Sequence, residues 1–160
     1  MNVMDNISIM QAIPEEASEI LALQKVAYQS EANLYDDSFI PPLTQTLSEI
    51  KAEFATKIFL KAVCVDRIVG SVRALLDSDT CLVGRLIVHP DYQRQGIGTH
   101  LMEKIETLFP RAERFELFTG TRSIDNIRLY QKLGYCRYRE EDLSSRVRIV
   151  FMEKRQANMG

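Results

Sequence analysis

The hydrophobic positions of this chain change period several times, and each change marks an element. Ile7, Ile9 and Ile13 share one face of a period-two segment, which predicts a first strand. Pro14-Glu15-Glu16 then opens a helix, because proline is tolerated in a first turn and acidic groups suit the positive end of the helix dipole. Ala17, Ile20, Leu21, Gln24 and Ala27 form its stripe, and the pattern fades near Ser30. Residues 31–42 read as an acidic and aromatic connection that Pro41-Pro42 closes. Thr46-Leu47-Ser48-Glu49 has the form of a capping box, so a second helix is predicted from Leu47 to Thr56 with Leu47, Ile50 and Phe54 facing inward.

Strand-like patterns follow. Residues 58–65 and 68–76 flank Asp66-Arg67 and predict a hairpin. After the turn Asp77-Ser78-Asp79, residues 81–88 are apolar except for Gly84 and Arg85, as in a strand buried on both faces. His89-Pro90-Asp91 stops that strand. A helix starting at Gln95 or Gly96 carries Ile97, Leu101, Ile105 and Leu108 on one side and ends before Pro110. Residues 115–118 predict a strand, 125–133 a helix stopped by Gly134, and 135–140 with 147–152 a final antiparallel pair. The predicted order is β-α-α-β-β-β-α-β-α-β-β.

Composition narrows the classes. A chain of 160 residues without linker or repeat suits a single domain over residues 1–160, with 46% hydrophobic residues for a core. A net charge of -2 gives no bulk attraction to nucleic acid. Arg137, Arg139, Arg146, Arg148 and Arg155 alternate with acids in the last strands and read as a solvated face. Cys64, Cys81 and Cys136 lack ligand spacing and read as buried thiols, while His89 and His100 stand apart, so no metal site is expected. The N-terminus has no apolar signal core and no run reaches the ~18 apolar residues of a membrane span, so a cytoplasmic location without a membrane partner is expected.

The candidate chemistry lies between the third hairpin strand and the helix after it. Gln93-Arg94-Gln95-Gly96-Ile97-Gly98-Thr99 sets two glycines, a fixed positive charge and polar side chains at a helix N-terminus, where unpaired N–H groups attract anions. A dinucleotide-binding crossover would need a third glycine where Leu101 stands, and a Walker-type loop would need Gly-Lys-Ser/Thr, which is absent.

The run Gly84-Arg85-Leu86-Ile87-Val88-His89-Pro90-Asp91-Tyr92-Gln93-Arg94-Gln95-Gly96-Ile97-Gly98 resembles the GCN5-related N-acetyltransferase (GNAT) family, whose pattern Gln/Arg-x-x-Gly-x-Gly/Ala is met by Gln93, Gly96 and Gly98. A second matching block is Asn126-Ile127-Arg128-Leu129-Tyr130-Gln131-Lys132-Leu133-Gly134-Tyr135. The resemblance implies an α+β, three-layer acyl-CoA N-acyltransferase fold, with a twisted mixed sheet of about seven strands, a splayed central pair and about four flanking helices. It implies acetyl-CoA (coenzyme A) as cofactor. Main-chain groups of Leu86, Ile87 and Val88 would pair with the pantetheine amides like an added strand. The amides of Arg94, Gln95, Gly96, Ile97, Gly98 and Thr99 would hold the pyrophosphate, and Asn126 the cofactor arm. Tyr130 matches the family's general acid. Residues 81–88 contain no acid, so the family's strand glutamate does not carry over. Glu31 is the remaining candidate base, and water-relayed deprotonation is the alternative.

Tyr28 and Tyr35 are candidate acceptor-wall residues. Arg85 either orients a substrate carboxylate or pairs with an acid at the sheet surface. The implied function is transfer of an acetyl group to an amine, on a small metabolite or on a protein N-terminus or lysine, by direct attack in a ternary complex. The alternative is a non-catalytic acyl-CoA sensor or interaction module on the same fold. Homodimerisation is implied by the family alone.

Overall fold

The computed structural model describes residues 6–156. Its strands are β1 (Ile7–Gln11), β2 (Ile58–Cys64), β3 (Arg67–Asp77), β4 (Thr80–Val88), β5 (Arg114–Gly120), β6 (Cys136–Asp142) and β7 (Arg148–Arg155). Its α-helices are α1 (Ala17–Tyr35), the single turn α2 (Pro41–Thr44), α3 (Leu47–Glu53), α4 (Ile97–Thr107) and α5 (Ile124–Lys132). The strands form one seven-stranded sheet in the order β1-β2-β3-β4-β5-β7-β6. Every neighbouring pair is antiparallel except β4 and β5.

Alternation along the strands sends successive side chains to opposite faces and creates two apolar layers. Leu60, Val72, Leu117, Val150 and Met152 pack with Leu101, Met102 and Ile105 of α4 and with Ile127 and Tyr130 of α5. Phe59, Ile68 and Ile87 face the other way, onto Ile20, Leu21 and Leu23 of α1 and Ile50 of α3. Ile149 and Phe151 of β7 meet Ala32 and Tyr35 near the end of α1.

Several local expectations change. Helix α1 does not fade at Ser30; it runs to Tyr35 and ends at Asp36, whose φ of 51° is left-handed. Tyr28, Ala32 and Tyr35 continue the inward stripe at helical spacing, diluted by polar neighbours. Glu31 therefore stands inside the helix rather than at its end. The capping box at Thr46 forms, with Glu49 N–H donating to Thr46 Oγ1 at 3.2 Å, but α3 stops at Glu53. The β2–β3 turn is Val65-Asp66, both with positive φ (48° and 64°), the twist that a two-residue hairpin requires. Cys64 and Cys81 are buried, whereas Cys136 on edge strand β6 is exposed. Among the described residues no helix is long and apolar enough to cross a membrane.

The sheet parts at its only parallel junction. β4 and β5 share the pairs Thr80↔Arg114, Cys81↔Phe115 and Leu82↔Glu116. β4 then follows β3 as far as Gly70↔Val88, while β5 follows β7 as far as Gly120↔Ile149. Residues 83–88 and 117–120 thus have no strand partner on the sides that face each other. A β-bulge adds to the divergence: the β3–β4 register shifts between Ser71 and Arg73, so that Arg85 and Leu86 together oppose Val72. Arg85 takes a left-handed φ of 52° there.

A buried charge ties the α1–α3 layer to the sheet beside this bulge. Arg73 is 1% exposed, and its guanidinium lies 4.5 Å from the Phe59 ring centroid. Its Nη1 donates to Glu53 Oε2 at 2.8 Å and its Nη2 to Gln24 Oε1. Gln24 donates in turn to Pro42 O at 2.9 Å. Burial lowers the Arg73 pKa to about 10, so it stays cationic at neutral pH. Burial also opposes ionisation of Glu53, but Lys57 and Arg73 outweigh it and hold the carboxyl below its ordinary pKa. Stability from Glu53 is therefore present above the unfolded-state value and is lost as pH falls through the folded one. Glu53→Gln strands a buried guanidinium, which costs about 3 kcal/mol and lowers Tm by roughly 6–12 °C at pH 7. Thermal denaturation should show this gap closing as pH falls below the ordinary carboxylate range and wild-type Glu53 protonates.

Candidate active site

The turn from β4 into α4 is closed from within. His89 Nδ1 accepts the Asp91 N–H at 3.1 Å, His89 O accepts the Tyr92 N–H at 2.8 Å, and Gln93 Nε2 donates to Val88 O at 3.3 Å. Arg94 (φ 63°) and Gly96 (φ 88°) are both left-handed. At Gly96, the N-cap of α4, a Cβ would cost about 1–2 kcal/mol. The first α4 bond is His100 N–H to Gly96 O at 3.0 Å. Among the described residues the amides of residues 94–99 donate to no protein acceptor. Six consecutive N–H groups at the positive end of a helix are donors of the kind that suits an anion.

All of these residues except Gln95 border a cleft of about 500 Å³. Its walls are Leu86, Ile87 and Val88 of β4, then Gln93, Arg94, Gly96, Ile97, Gly98 and Thr99, and across from them Asn126, Arg128 and Lys132 of α5. A Cβ added at Gly98 would meet Leu129 at 3.5 Å and Leu86 at 3.7 Å, so glycine keeps the cleft floor low there. A second cavity, of about 160 Å³, includes Val83, Gly84 and Arg85 on one side of the sheet gap and Leu117, Thr119 and Tyr130 on the other. Tyr28, Glu31, Leu86 and Asn126 line both spaces, so the two adjoin where β4 and β5 part.

A directed hydrogen-bond chain fixes the shared wall. Tyr35 OH accepts the Arg122 N–H at 2.8 Å, and because the Ser123 hydroxyl hydrogen goes to Glu31, Tyr35 OH donates to Ser123 Oγ at 2.9 Å. Ser123 Oγ donates to Glu31 Oε2 at 2.5 Å, and Asn126 Nδ2 reaches Glu31 Oε1 at 3.4 Å and Thr119 Oγ1 at 3.3 Å. Gly120 admits this arrangement, since a Cβ there would lie 1.9 Å from the Tyr35 hydroxyl. Tyr130 is buried and packs edge-on to Tyr135 at 6.1 Å, and no described residue hydrogen-bonds its hydroxyl. Burial, with the nearby Tyr28 and Glu31, raises its pKa above the ordinary phenol value. Burial likewise raises Tyr28, against the opposing charges of Arg85 and Arg73.

A family model described as the Acetyltransferase (GNAT) family matches residues 24–135, which contain this whole arrangement. The chain belongs to the GNAT family. The UPF0157 protein YqkA of Bacillus subtilis (strain 168) is 29% identical over 119 residues, which are 74% of this chain and 34% of that protein. The chain thus spans about a third of this curated relative. A GNAT-family acetyltransferase of Streptococcus pneumoniae superposes with a TM-score of 0.75 at 19% identity, covering 93% of this chain and 98% of the other. The PaiA N-acetyltransferase of Thermoplasma acidophilum, solved in complex with coenzyme A, gives 0.74 at 18% identity, covering 94% and 99%.

Most residues singled out from the GNAT pattern gather at the two spaces, with three refinements. Gln95 is exposed and stands outside the cleft wall. One N–H of the Gln93 side chain is spent on closing the turn, which leaves it one donor at the cleft. The Tyr35 hydroxyl is committed to Ser123 and Arg122, and only its remaining surface borders the small cavity. Sequence reasoning missed Arg128 and Lys132, although their i,i+4 spacing puts them on one face of α5. It also missed Ser123, whose partner Glu31 lies 92 positions away. Ser123→Ala should leave the Tyr35 hydroxyl without its acceptor and lower stability by about 1–3 kcal/mol, read as a Tm decrease. An unchanged Tm would show that the chain does not hold this wall.

Proposed function

We propose that this chain, as one domain over residues 1–160, is an acetyl-CoA-dependent N-acetyltransferase that moves an acetyl group to an amine by direct attack in a ternary complex. The observation that carries this reading is the row of unpaired amides at the start of α4, opening on a cleft that reaches the β4–β5 gap and a second cavity beyond it. The residues present fit the coenzyme. The amides of residues 94–99 suit its pyrophosphate, and Arg94, Arg128 and Lys132 add positive charge at the same cleft. The free edge of Leu86, Ile87 and Val88 suits an extended amide-bearing arm, and Asn126 Oδ1, which accepts from no described residue, suits an N–H of that arm. GNAT membership and the coenzyme A complex of the PaiA neighbour support this choice of ligand. The single continuous sheet supports the one-domain reading. A net charge of -2 and free cysteines support a cytoplasmic enzyme without a nucleic-acid partner.

When bound, the coenzyme supplies an activated acetyl thioester. Tyr130 holds its proton at the phenol oxygen, because burial disfavours the phenolate, and is the proposed donor to the leaving sulfur. Glu31 has its carboxylate fixed by Ser123 and Asn126 and is the proposed receiver of a proton from the acceptor ammonium. Tyr28 and Arg85 border the small cavity as proposed acceptor contacts.

Coenzyme A at about a hundred times its Kd should raise Tm by roughly 5–10 °C, and Gly98→Val should abolish most of that shift. A valine variant that binds normally contradicts the cradle. Tyr130→Phe should lower kcat about a hundredfold or more while the Kd for coenzyme A stays within about threefold. Equal turnover would remove the acid role.

A further inference from the structure

Resting on the acetyltransferase reading, the small cavity carries an inference about the acceptor. Its walls are largely apolar, with Ile40, Leu117, Val147 and Ile149 all buried. Its two charged lining residues are Arg85 and Glu31. Neither has an ion-pair partner among the described residues. Glu31 accepts only neutral donors, the Ser123 hydroxyl and the Asn126 amide. Arg85 sits at the β4 bulge, where its left-handed φ of 52° takes it out of the regular strand alternation. Arg85 and Tyr28 share the wall of this cavity.

An isolated charge facing a half-closed apolar space is costly, and a partner of opposite sign relieves that cost. Here one cavity holds one unpaired cation and one unpaired anion. Arg73, a second guanidinium nearby, is already matched by Glu53 and leaves the positive end in surplus. The ligand that satisfies both poles carries an ammonium and a carboxylate on a small apolar body. We infer that the acceptor is a free apolar α-amino acid, with its carboxylate on Arg85, its ammonium at Glu31 beside the sheet gap, and its side chain against the Ile40, Val147 and Ile149 wall.

Planar bidentate pairing is what distinguishes an arginine from a lysine at such a site. Removing the substrate's carboxylate leaves Arg85 unpaired, so discrimination is large where polar groups are built to be matched.

The test measures acetyl-CoA-dependent thiol release with leucine and phenylalanine, each beside its amide and its decarboxylated amine, and with a Leu-Gly dipeptide. Mass spectrometry identifies the product. For the better amino acid, kcat/KM should exceed that of its decarboxylated amine by roughly a hundredfold or more. Arg85→Gln should bring that ratio to within about tenfold, chiefly through KM, and Arg85→Lys should restore part of it. Each variant is checked by Tm, so that a misfolded protein is not counted. Equal use of an amino acid and its decarboxylated amine, or an unchanged ratio in Arg85→Gln, overturns the inference while acetyl transfer stands. Preference for the dipeptide replaces the free amino acid with a peptide N-terminus. No thiol release with any amine overturns both this inference and the acetyltransferase reading.

Discussion

Main-chain N–H and C=O groups must find partners, and the parting of β4 from β5 leaves a set of them without any. Two parallel strands that remained paired to their ends would fill the middle of the sheet and leave no passage between its faces. Here each strand follows its outer neighbour instead, β4 with β3 and β5 with β7. The bulge at Arg85 and Leu86 bends β4 on its way. The same strand then runs into a turn whose amides also lack protein acceptors. Unpaired edge and unpaired helix start are therefore continuous along one cleft wall. A long ligand with amides at one end and phosphates at the other is the chemistry that matches both.

The walls of the gap are held by polar ties that cross between layers. On one side Arg73 binds Glu53 and Gln24, fixing α1 and α3 against β3 near the bulge. On the other, Tyr35, Ser123 and Glu31 join the end of α1 to the start of α5. Helix α1 is thus tied through its polar residues to β3 on one side of the gap and to the start of α5 on the other, while its apolar face covers the core. Buried networks of this kind fix geometry when every member is satisfied. Arg73 Nε is the one buried side-chain nitrogen or oxygen without a hydrogen-bond partner among the described residues.

Much of this was legible in the chain. Strand periods, the capping box at Thr46 and the glycine-bearing turn before Ile97 depend on local residues, and these elements stand where their patterns put them. The GNAT motif marks the turn at the start of α4 because its requirements are local too: a left-handed Gly96 and a small Gly98 at a helix start. The end of α1 is not legible in the pattern, because polar residues dilute a stripe whose inward contacts, Ala32 and Tyr35, are made with β7 more than a hundred positions later. Arg85 could not be placed from pattern alone. Its direction depends on a bulge, and a bulge is set by pairing with β3 rather than by the sequence of β4. Ser123 resembles an ordinary helix-capping serine until α1 is packed beside it.

The central claim is that the unpaired amides of the turn and the free edge of β4 receive the coenzyme directly. Titrating the ¹⁵N-labelled protein with coenzyme A and following its amide resonances tests this at the atoms concerned. Saturable shifts should appear at residues 94–99 and at Leu86, Ile87 and Val88, and inorganic pyrophosphate should reproduce only the first group. Binding that leaves both groups unmoved, with shifts confined to other parts of the chain, would contradict it.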